Sequence, residues 1–454
     1  MNLATSSSAS GQSEKVSSAV SSGRKVARRP IMAATPGDHP DIEQFLAAVF
    51  QGPPPEEFKS SLEDPFYEPY DRLLIKDGFR ITAHVHLTRR TMQFGSLRIP
   101  TSGLSWLGVL PEMRGLGLGR RLLTTAENQM AAHGAMIGLL RTRIPHFFRR
   151  SGWAWCGRHS YSQAGPRALL SRMLAGNDRP HCHDRLHVRC WRRLELAALM
   201  RIYGQNLPGR FGPFERTEAY WEWLMQRHGY DQLYVVLRGP NVLELEEKLA
   251  PIVGYAVARG DRIVELLSAP SCKSAALKLL ARACRDAIEH GYHHLELHAP
   301  FEHQLHALFQ AAGGSHHVHE TDRDEVLMAR VLQPVRFLRM LGPELVHRSR
   351  AAGLLCPLEL GLVVEAQRYR LVVHQEHVEV SVRRESQNRL HLNVADFTRM
   401  VLGQLDWRRA YDQGCVRASN VLAREAAPLL FPKLSFWRPP WDDLPARGGG
   451  ARPR

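Results

Sequence analysis

The feature that most constrains the fold is a glycine-rich turn between an apolar strand and a helix. Residues 114–119 read Arg-Gly-Leu-Gly-Leu-Gly, directly after an apolar stretch at 104–110 that Pro111 closes. Glycines let the backbone turn tightly and direct several N–H groups into one concavity, where the helix dipole also stabilises a pyrophosphate. Arg114 adds a fixed positive charge. The turn therefore predicts a phosphate-binding site.

The residues after the turn predict a βαβα unit. Leu118, Leu122, Ala126 and Met130 recur at helical spacing, and Gly134 is a natural residue to end that helix. We expect a buried strand at 135–140 and a short helix at 146–150. Arg120 and Arg121 lie in the first helical turn, where cations oppose the macrodipole, so an anionic ligand is expected nearby.

The turn has three other possible interpretations. A lone GxG could be a simple turn. A dinucleotide-binding loop would have a different glycine spacing and an acidic residue about 20 positions later, and a P-loop would have Lys-Ser/Thr. The R-x-x-G-x-G form, preceded by Leu-Gly-Val-Leu-Pro at 107–111, resembles the pyrophosphate loop of the GNAT acetyltransferases.

The remaining chain predicts a sheet before the turn and two further α+β units after it. Before it, strands are expected at 73–75, 81–87 and 92–99, with a turn at Asp77-Gly78. Afterwards, strands at 252–258 and 263–267, a helix at 274–289, a strand at 294–298 and a helix at 302–310 repeat the order of the first unit. Their connection at 268–272 has neither the glycines nor the arginine, which indicates a duplicated domain without a cofactor site. From residue 334 a third pattern begins.

Residues 104–115 also resemble the Eis family, the enhanced-intracellular-survival acetyltransferases, and 392–397, 402–403, 430–431 and 440–441 are similar to that family's last domain. The resemblance implies an α+β fold class, with two tandem GNAT folds followed by a sterol-carrier-protein-like domain. It also implies a homo-oligomer. The expected division is a disordered leader at 1–29, an acetyl-CoA-binding GNAT domain at 30–165, a degenerate GNAT domain at 166–333, a sterol-carrier-protein-like domain at 334–445 and a disordered tail at 446–454.

The resemblance implies transfer of an acetyl group from acetyl-CoA to a primary amine of a small molecule or peptide. The family's splayed strand contacts the acetyl-pantetheine arm, and its loop holds the pyrophosphate. These cofactor-binding roles map onto Leu107, Gly108, Val109, Leu110, Arg114, Gly115, Leu116, Gly117, Leu118, Gly119 and Arg120.

Three features of the family's site are altered. Phe148 occupies the position of the tyrosine that protonates the leaving thiolate, and Arg143-Ile144 replaces a Ser-Glu pair that contacts the cofactor. The family's general base is its C-terminal carboxylate, but this chain continues for about a dozen residues beyond Trp441. We hypothesise that Asp442 or Asp443 substitutes, although both could be solvated tail carboxylates. Residues that could replace the acid, each more simply explained as packed or exposed, are His146, Cys156, His159 and Tyr161.

The cysteines and the hydropathy restrict the class of protein. The seven cysteines are scattered without a CxxC pair, which argues against a disulfide framework or a zinc site and for a reducing cytoplasm. The cluster at 181–183, His-Cys-His, is interpreted as a loop because no second pair stands at metal spacing. The sequence thus predicts no metal, and it contains no apolar run long enough for a membrane span.

The net charge of +15 leaves a competing function open. A basic nucleic-acid-binding protein is one explanation. An arginine-rich genome together with an anionic cofactor is the interpretation we favour, because no recognition helix, RNA-binding signature or basic stripe with interleaved aromatics is present. Another alternative is a protein that binds CoA but has lost catalysis and acts as a sensor or scaffold.

Overall fold

The computed structural model describes residues 29–175, 186–239, 252–322, 325–383 and 386–446. The described chain groups into two compact units. Unit 1 comprises residues up to Arg89 together with Ser102–Gly134, and unit 2 comprises Arg90–Thr101 and the chain from Ala135 onward. The expected leader except for Arg29, most of the expected tail and the His-Cys-His cluster lie outside the described residues.

Unit 1 is a mixed layer of strands and helices with the sheet order β1-β2-β3-β4. Its elements are β1 (Met32–Ala33), α1 (His39–Phe50), α2 (Pro55–Leu62), β2 (Arg72–Asp77), β3 (Arg80–Phe94), β4 (Leu97–Val109) and α3 (Leu118–Ala132). The tip of the β3–β4 hairpin is grouped with unit 2. Helix α1 packs Ile42, Phe45 and Leu46 against Leu74 and Ile81 of the sheet, as expected for an amphipathic helix on a half-buried sheet.

Unit 2 contains the remaining strands and helices. Its strands are β5 (Ile137–Thr142), β6 (Ala154–Trp155), β7 (His159–Ala164), β8 (Leu186–Cys190), β9 (Phe211–Phe214), β10 (Gln232–Arg238), β11 (Ile252–Arg259), β12 (Arg262–Ser268), β13 (Leu295–His298), β14 (Ser315–His319), β15 (Thr321–Asp322), β16 (Glu325–Val331), β17 (Leu358–Val364), β18 (Gln367–Val373), β19 (Val378–Val382), β20 (Arg389–Leu392) and β21 (Arg417–Ala418).

Its helices are α4 (Pro145–Arg149), α5 (Pro166–Ala175), α6 (Leu196–Asn206), α7 (Glu218–Gln226), α8 (Ser274–Glu289), α9 (Leu305–Ala311), α10 (Pro334–Met340), α11 (Gly342–Ala351), α12 (Val394–Val401), α13 (Trp407–Asp412) and α14 (Val421–Leu430). Their buried faces pack against the strands of three cores. The predicted α+β fold class is confirmed.

Strands β7 and β16 are exchanged between two sheets. Strand β7 follows β5 and β6 in sequence but does not pair with them, and β16 follows the strands of the second sheet but pairs with β5. Strand β7 joins the seven-stranded sheet β14-β7-β13-β12-β11-β10-β8, whereas β16 pairs with β5. The pairing of β7 with both neighbours is antiparallel, so that Tyr161 lies opposite His298 on one side and His317 on the other. The third sheet has the order β19-β18-β17-β20-β21.

The local sequence predictions are mostly confirmed. The Asp77-Gly78 turn joins β2 to β3, and α8 has the bounds predicted for it. Residues 92–99 continue the sheet as predicted, but not as one strand, because Gly95 adopts a φ of 65° and turns the chain there. Residues 92–94 therefore end β3 and 97–99 begin β4. The domain boundaries stay a prediction.

Candidate functional site: the glycine loop before helix α3

The glycine loop of unit 1 is shaped by two left-handed residues. Gly115 has a φ of 81° and Gly117, the N-cap of α3, has a φ of 78°. A Cβ at either position would meet nothing within 4 Å. The requirement for glycine is therefore conformational rather than steric, because residues with a side chain rarely adopt a positive φ.

The loop leaves a row of backbone donors without partners. Within the described residues, no N–H group from Gly115 through Arg120 donates a hydrogen bond, and the first bond of the helix runs from the Arg121 N–H to the Gly117 carbonyl at 3.1 Å. Arg114 and Arg120 are exposed beside this row, and Nε of Arg114 donates to the Val109 carbonyl at 3.3 Å. Six consecutive free donors at a helix N-terminus form an anion-binding surface.

Strand β4 is distorted immediately before the loop. Trp106 has a φ of 55°, an uncommon conformation for an aromatic residue and one that costs backbone energy. Its carbonyl accepts a hydrogen bond from Nδ1 of His84 at 3.0 Å. Gly108 lies against α1, where a Cβ would come within 2.8 Å of the Phe50 ring. After the distortion, the Leu110 N–H donates to the Thr82 carbonyl at 3.0 Å.

His84 is held in a buried polar chain behind the distorted strand. Its Nε2 lies 3.3 Å from Nη1 of the buried Arg72, and Arg72 also bonds the Tyr67 hydroxyl through Nε at 3.2 Å. That hydroxyl lies 2.8 Å from Nε2 of His39. Burial, together with the Arg72 charge, lowers the pKa of His84 from 6.5 to about 3. The imidazole is therefore neutral, and Nδ1 carries the proton that Trp106 accepts.

The sequence-predicted residues of the cofactor site, from Leu107 to Arg120, lie together in unit 1. Sequence reasoning did not assign a role to His84 or Arg72. A histidine and an arginine within otherwise apolar strands are the signal that could have identified them, because a polar side chain that the sheet buries must find a partner.

Phe148 lies in unit 2 on α4. Its ring is 4% exposed and makes edge contacts with Phe147 and Trp153, at centroid distances of 5.0 and 6.2 Å. A phenyl ring has no proton to donate. Phe148 therefore contributes packing at the position that the resemblance gives to an acid.

Asp442 and Asp443 lie in unit 2 and have different surroundings. Both oxygens of the buried Asp442 accept from Arg216 at 3.0 Å, and one also accepts from the Tyr220 hydroxyl at 3.2 Å. Asp443 is partly exposed and pairs with Arg141 at 2.8 Å and Arg438 at 2.5 Å. Burial raises the pKa of Asp443, but the charges of Arg438 and Arg141 outweigh burial and place it below its ordinary value.

The four alternative acids are also in unit 2. Cys156 is buried, and burial raises the pKa of its thiol. Tyr161 stacks on His298 and His317 at centroid distances of 5.5 and 4.9 Å, and His159 lies 4.9 Å from His298. His146 is exposed. These contacts explain Cys156, His159 and Tyr161 as packed residues.

Residues 30–156, which contain the loop and the distorted strand, match the family model described as an acetyltransferase (GNAT) domain. The match supports an acyltransferase. No curated protein matches the chain, and none of the described helices combines the length and the apolar character that crossing a membrane requires.

Solved structures resemble nearly the whole chain. A GCN5-related N-acetyltransferase from Anabaena variabilis has a TM-score of 0.69 at 16% identity, covering 90% of this chain and 99% of its own. One from Kribbella flavida has a TM-score of 0.68 at 17% identity, covering 90% and 97%. Eis1 from Mycobacterium abscessus has a TM-score of 0.64 at 15% identity, covering 90% and 99%. At these identities the likeness shows the fold.

Proposed function

We propose that the protein binds acetyl-CoA at the glycine loop and transfers its acetyl group to a primary amine of a small molecule or peptide. The observation that carries the proposal is the row of free N–H groups from Gly115 to Arg120. Such a row at a helix N-terminus suits a pyrophosphate, and Arg114 and Arg120 supply the matching charge. The fold of the GCN5-related N-acetyltransferases supports the same function.

The reaction requires a neutral amine and a stabilised oxyanion. An amine of the lysine type has a pKa of about 10.4 and is protonated at neutral pH, so the protein must accept a proton before the nitrogen attacks the thioester. We propose that the backbone from Leu107 to Leu110 orients the acetyl-pantetheine arm, because the distortion at Trp106 redirects β4 just before these residues. His84 is a positioning residue that holds the Trp106 carbonyl.

The proton acceptor that we propose is Asp443, with Asp442 as the second candidate. Arginines hold the oxygens of both carboxylates, and we prefer Asp443 because its side chain is partly exposed whereas that of Asp442 is buried. Asp443→Asn and Asp442→Asn test the assignment, with acetyl transfer as the readout. If both variants turned over like the wild type, neither carboxylate would be the base.

A CoA-binding sensor or scaffold without transferase activity is the second candidate. Phe148 favours it, because a phenyl ring at the position of the family's acid has no proton to give to the departing thiolate. Both candidates predict acetyl-CoA binding, and they differ only in turnover.

The deciding experiment combines calorimetric titration of acetyl-CoA with a free-thiol assay. The acceptors would be polyamines, aminoglycosides and lysine-containing peptides. Release of thiol that depends on the acceptor supports the transferase, and binding without thiol release in the whole panel supports the sensor or scaffold. An absence of binding would overturn both. Salt-dependent retention on DNA, unaffected by changes in the glycine loop, would instead indicate nucleic-acid binding.

A further inference from the structure

Three potential metal ligands meet at the hairpin between β18 and β19. The turn is closed by a hydrogen bond from the His374 N–H to the His377 carbonyl at 2.9 Å. The two imidazole rings stack face to face, with centroids 4.3 Å apart and planes inclined by 10°. Glu379 follows on β19, and its carboxylate lies close to both rings.

The donor atoms of these side chains converge on one point. Nε2 of His374 and Nε2 of His377 each lie 3.6 Å from the same carboxylate oxygen, Oε1 of Glu379. All three donor atoms lie within 4.8 Å of one another. Ligands at zinc–nitrogen distances of about 2.0–2.1 Å and tetrahedral angles are about 3.3 Å apart. To enclose an ion, the donor atoms have to approach by up to about 1.5 Å, and the stacked rings have to turn so that both nitrogen lone pairs point at the ion.

The nitrogen of His374 also lacks a hydrogen bond. Within the part of the chain that the structure describes, Nε2 of His374 is shielded from solvent and makes no hydrogen bond. An unsatisfied polar atom of this kind costs free energy unless something occupies it. A metal ion bound in the plane of the His374 ring would satisfy that nitrogen.

We propose that His374, His377 and Glu379 form a zinc site in the third sheet. Two imidazole nitrogens and one carboxylate oxygen suit Zn²⁺ or a similar divalent transition ion, whereas Mg²⁺ and Ca²⁺ prefer oxygen ligands only. Water completes the coordination, because His377 and Glu379 are 63% and 62% exposed. The site uses none of the residues proposed for acetyl transfer, and it departs from the prediction that the chain binds no metal.

The neighbouring backbone holds the ligands in place. Arg350 donates to the carbonyl of Gln375 in the turn, and Glu379 lies opposite Val372 in the β18–β19 ladder. The backbone that carries the ligands is therefore held in place, and the side chains supply the movement that binding requires. A bound ion would stabilise the folded chain by mass action, since the unfolded chain does not hold the three donors together.

Metal binding to the tag-free full-length protein, stripped with a chelator, tests the proposal. Calorimetric titration with ZnCl₂ would be paired with the visible absorption of Co²⁺ added in its place. We expect His377→Asn to bind one equivalent of Zn²⁺ less than the wild type, and Glu379→Gln to bind at that site at least about tenfold more weakly. His391→Asn, which removes an exposed histidine on β20 of the same sheet, is the matched control and should bind like the wild type.

Unchanged zinc binding in the ligand variants would overturn the proposal. Equal stoichiometry and affinity in the wild type, His377→Asn and Glu379→Gln would show that the zinc binds elsewhere among the histidines, and the proposal would fall. Glu379→Gln decides the question even if His377→Asn fails to fold, because it keeps the shape of an exposed side chain. The readout is metal content, so it is independent of whether the protein transfers acetyl groups.

Discussion

Phe148 is the residue that most directly tests whether the protein catalyses acetyl transfer. The resemblance to the Eis family gives its position to a proton-donating tyrosine, and the ring is buried against Phe147 and Trp153. We expect Phe148→Tyr to raise kcat by about 10²-fold, the lower end for a positioned general acid, because the substitution restores the residue type to which the resemblance gives the acid's role.

Phe147→Tyr is the matched control for that substitution, since it adds the same hydroxyl to the adjacent, half-buried ring. It should leave kcat unchanged. A folded Phe148→Tyr with the kcat of the wild type would show that thiolate protonation does not limit turnover.

His84 makes stability depend on pH in a defined direction. Its folded pKa of about 3 lies below the ordinary 6.5, so the unfolded state binds the proton between these values and the folded state does not. Its contribution to stability is complete above pH 6.5 and falls as the pH drops toward 3, by at most about 1.4 kcal/mol per pH unit.

The comparison of wild type with His84→Asn at pH 7 and pH 5 measures this contribution. The wild type should lose more unfolding free energy between the two pH values than the variant does. Denaturant unfolding at each pH is the measurement, and identical losses in both proteins would contradict the assignment of a neutral, buried His84.

At the scale of elements, the glycine loop and α3 act together. Gly117→Ala forces an alanine to a φ of 78°, which costs about 1–2 kcal/mol, so the loop should rearrange and acetyl-CoA should bind about tenfold more weakly. The matched control is Gly204→Ala in α6, where a Cβ meets nothing within 4 Å and φ is not positive. Calorimetric titration of both variants checks the difference, and equal affinities would remove the loop from the binding site.

Sequence reasoning predicts elements that local patterns determine and fails where distant segments decide. Helix α8 and the strand–loop–helix unit are readable because apolar spacing and glycine positions specify them. The sequence does not predict the exchange of β7 and β16, because a strand with alternating apolar and polar residues could pair with the edge of either sheet. The turn at Gly95 is not readable either, since apolar residues alternate with polar ones on both sides of it, as they would in one continuous strand.

The site was predictable to the same extent. The glycine loop is contiguous in sequence, so its residues were found together. The chain from His39 to Trp106 through His84 was not, because its members come from separate strands and a helix. Likewise, the sequence identifies Asp442 because it directly follows Trp441. Its partner Arg216 lies 226 residues earlier in the sequence, and only the fold brings the two together.

At the scale of the whole molecule, Arg216 connects the C-terminal segment to the second sheet. It bonds Glu265 with two hydrogen bonds at 2.9 and 2.7 Å and Asp442 with two at 3.0 Å. The three side chains are almost completely shielded from solvent. Trp221 and Trp441 each lie 4.9 Å from the guanidinium. Removing the arginine leaves two buried carboxylates without a counter-charge.

We therefore expect Arg216→Leu to lower the unfolding free energy by about 3–5 kcal/mol. Arg98→Leu is the matched control, because Arg98 makes an exposed ion pair with Glu215, the residue before Arg216, and it should cost less than about 1 kcal/mol. Denaturant unfolding followed by tryptophan fluorescence reports on both. Similar losses in the two variants would contradict the assignment of two buried, charged carboxylates that depend on Arg216.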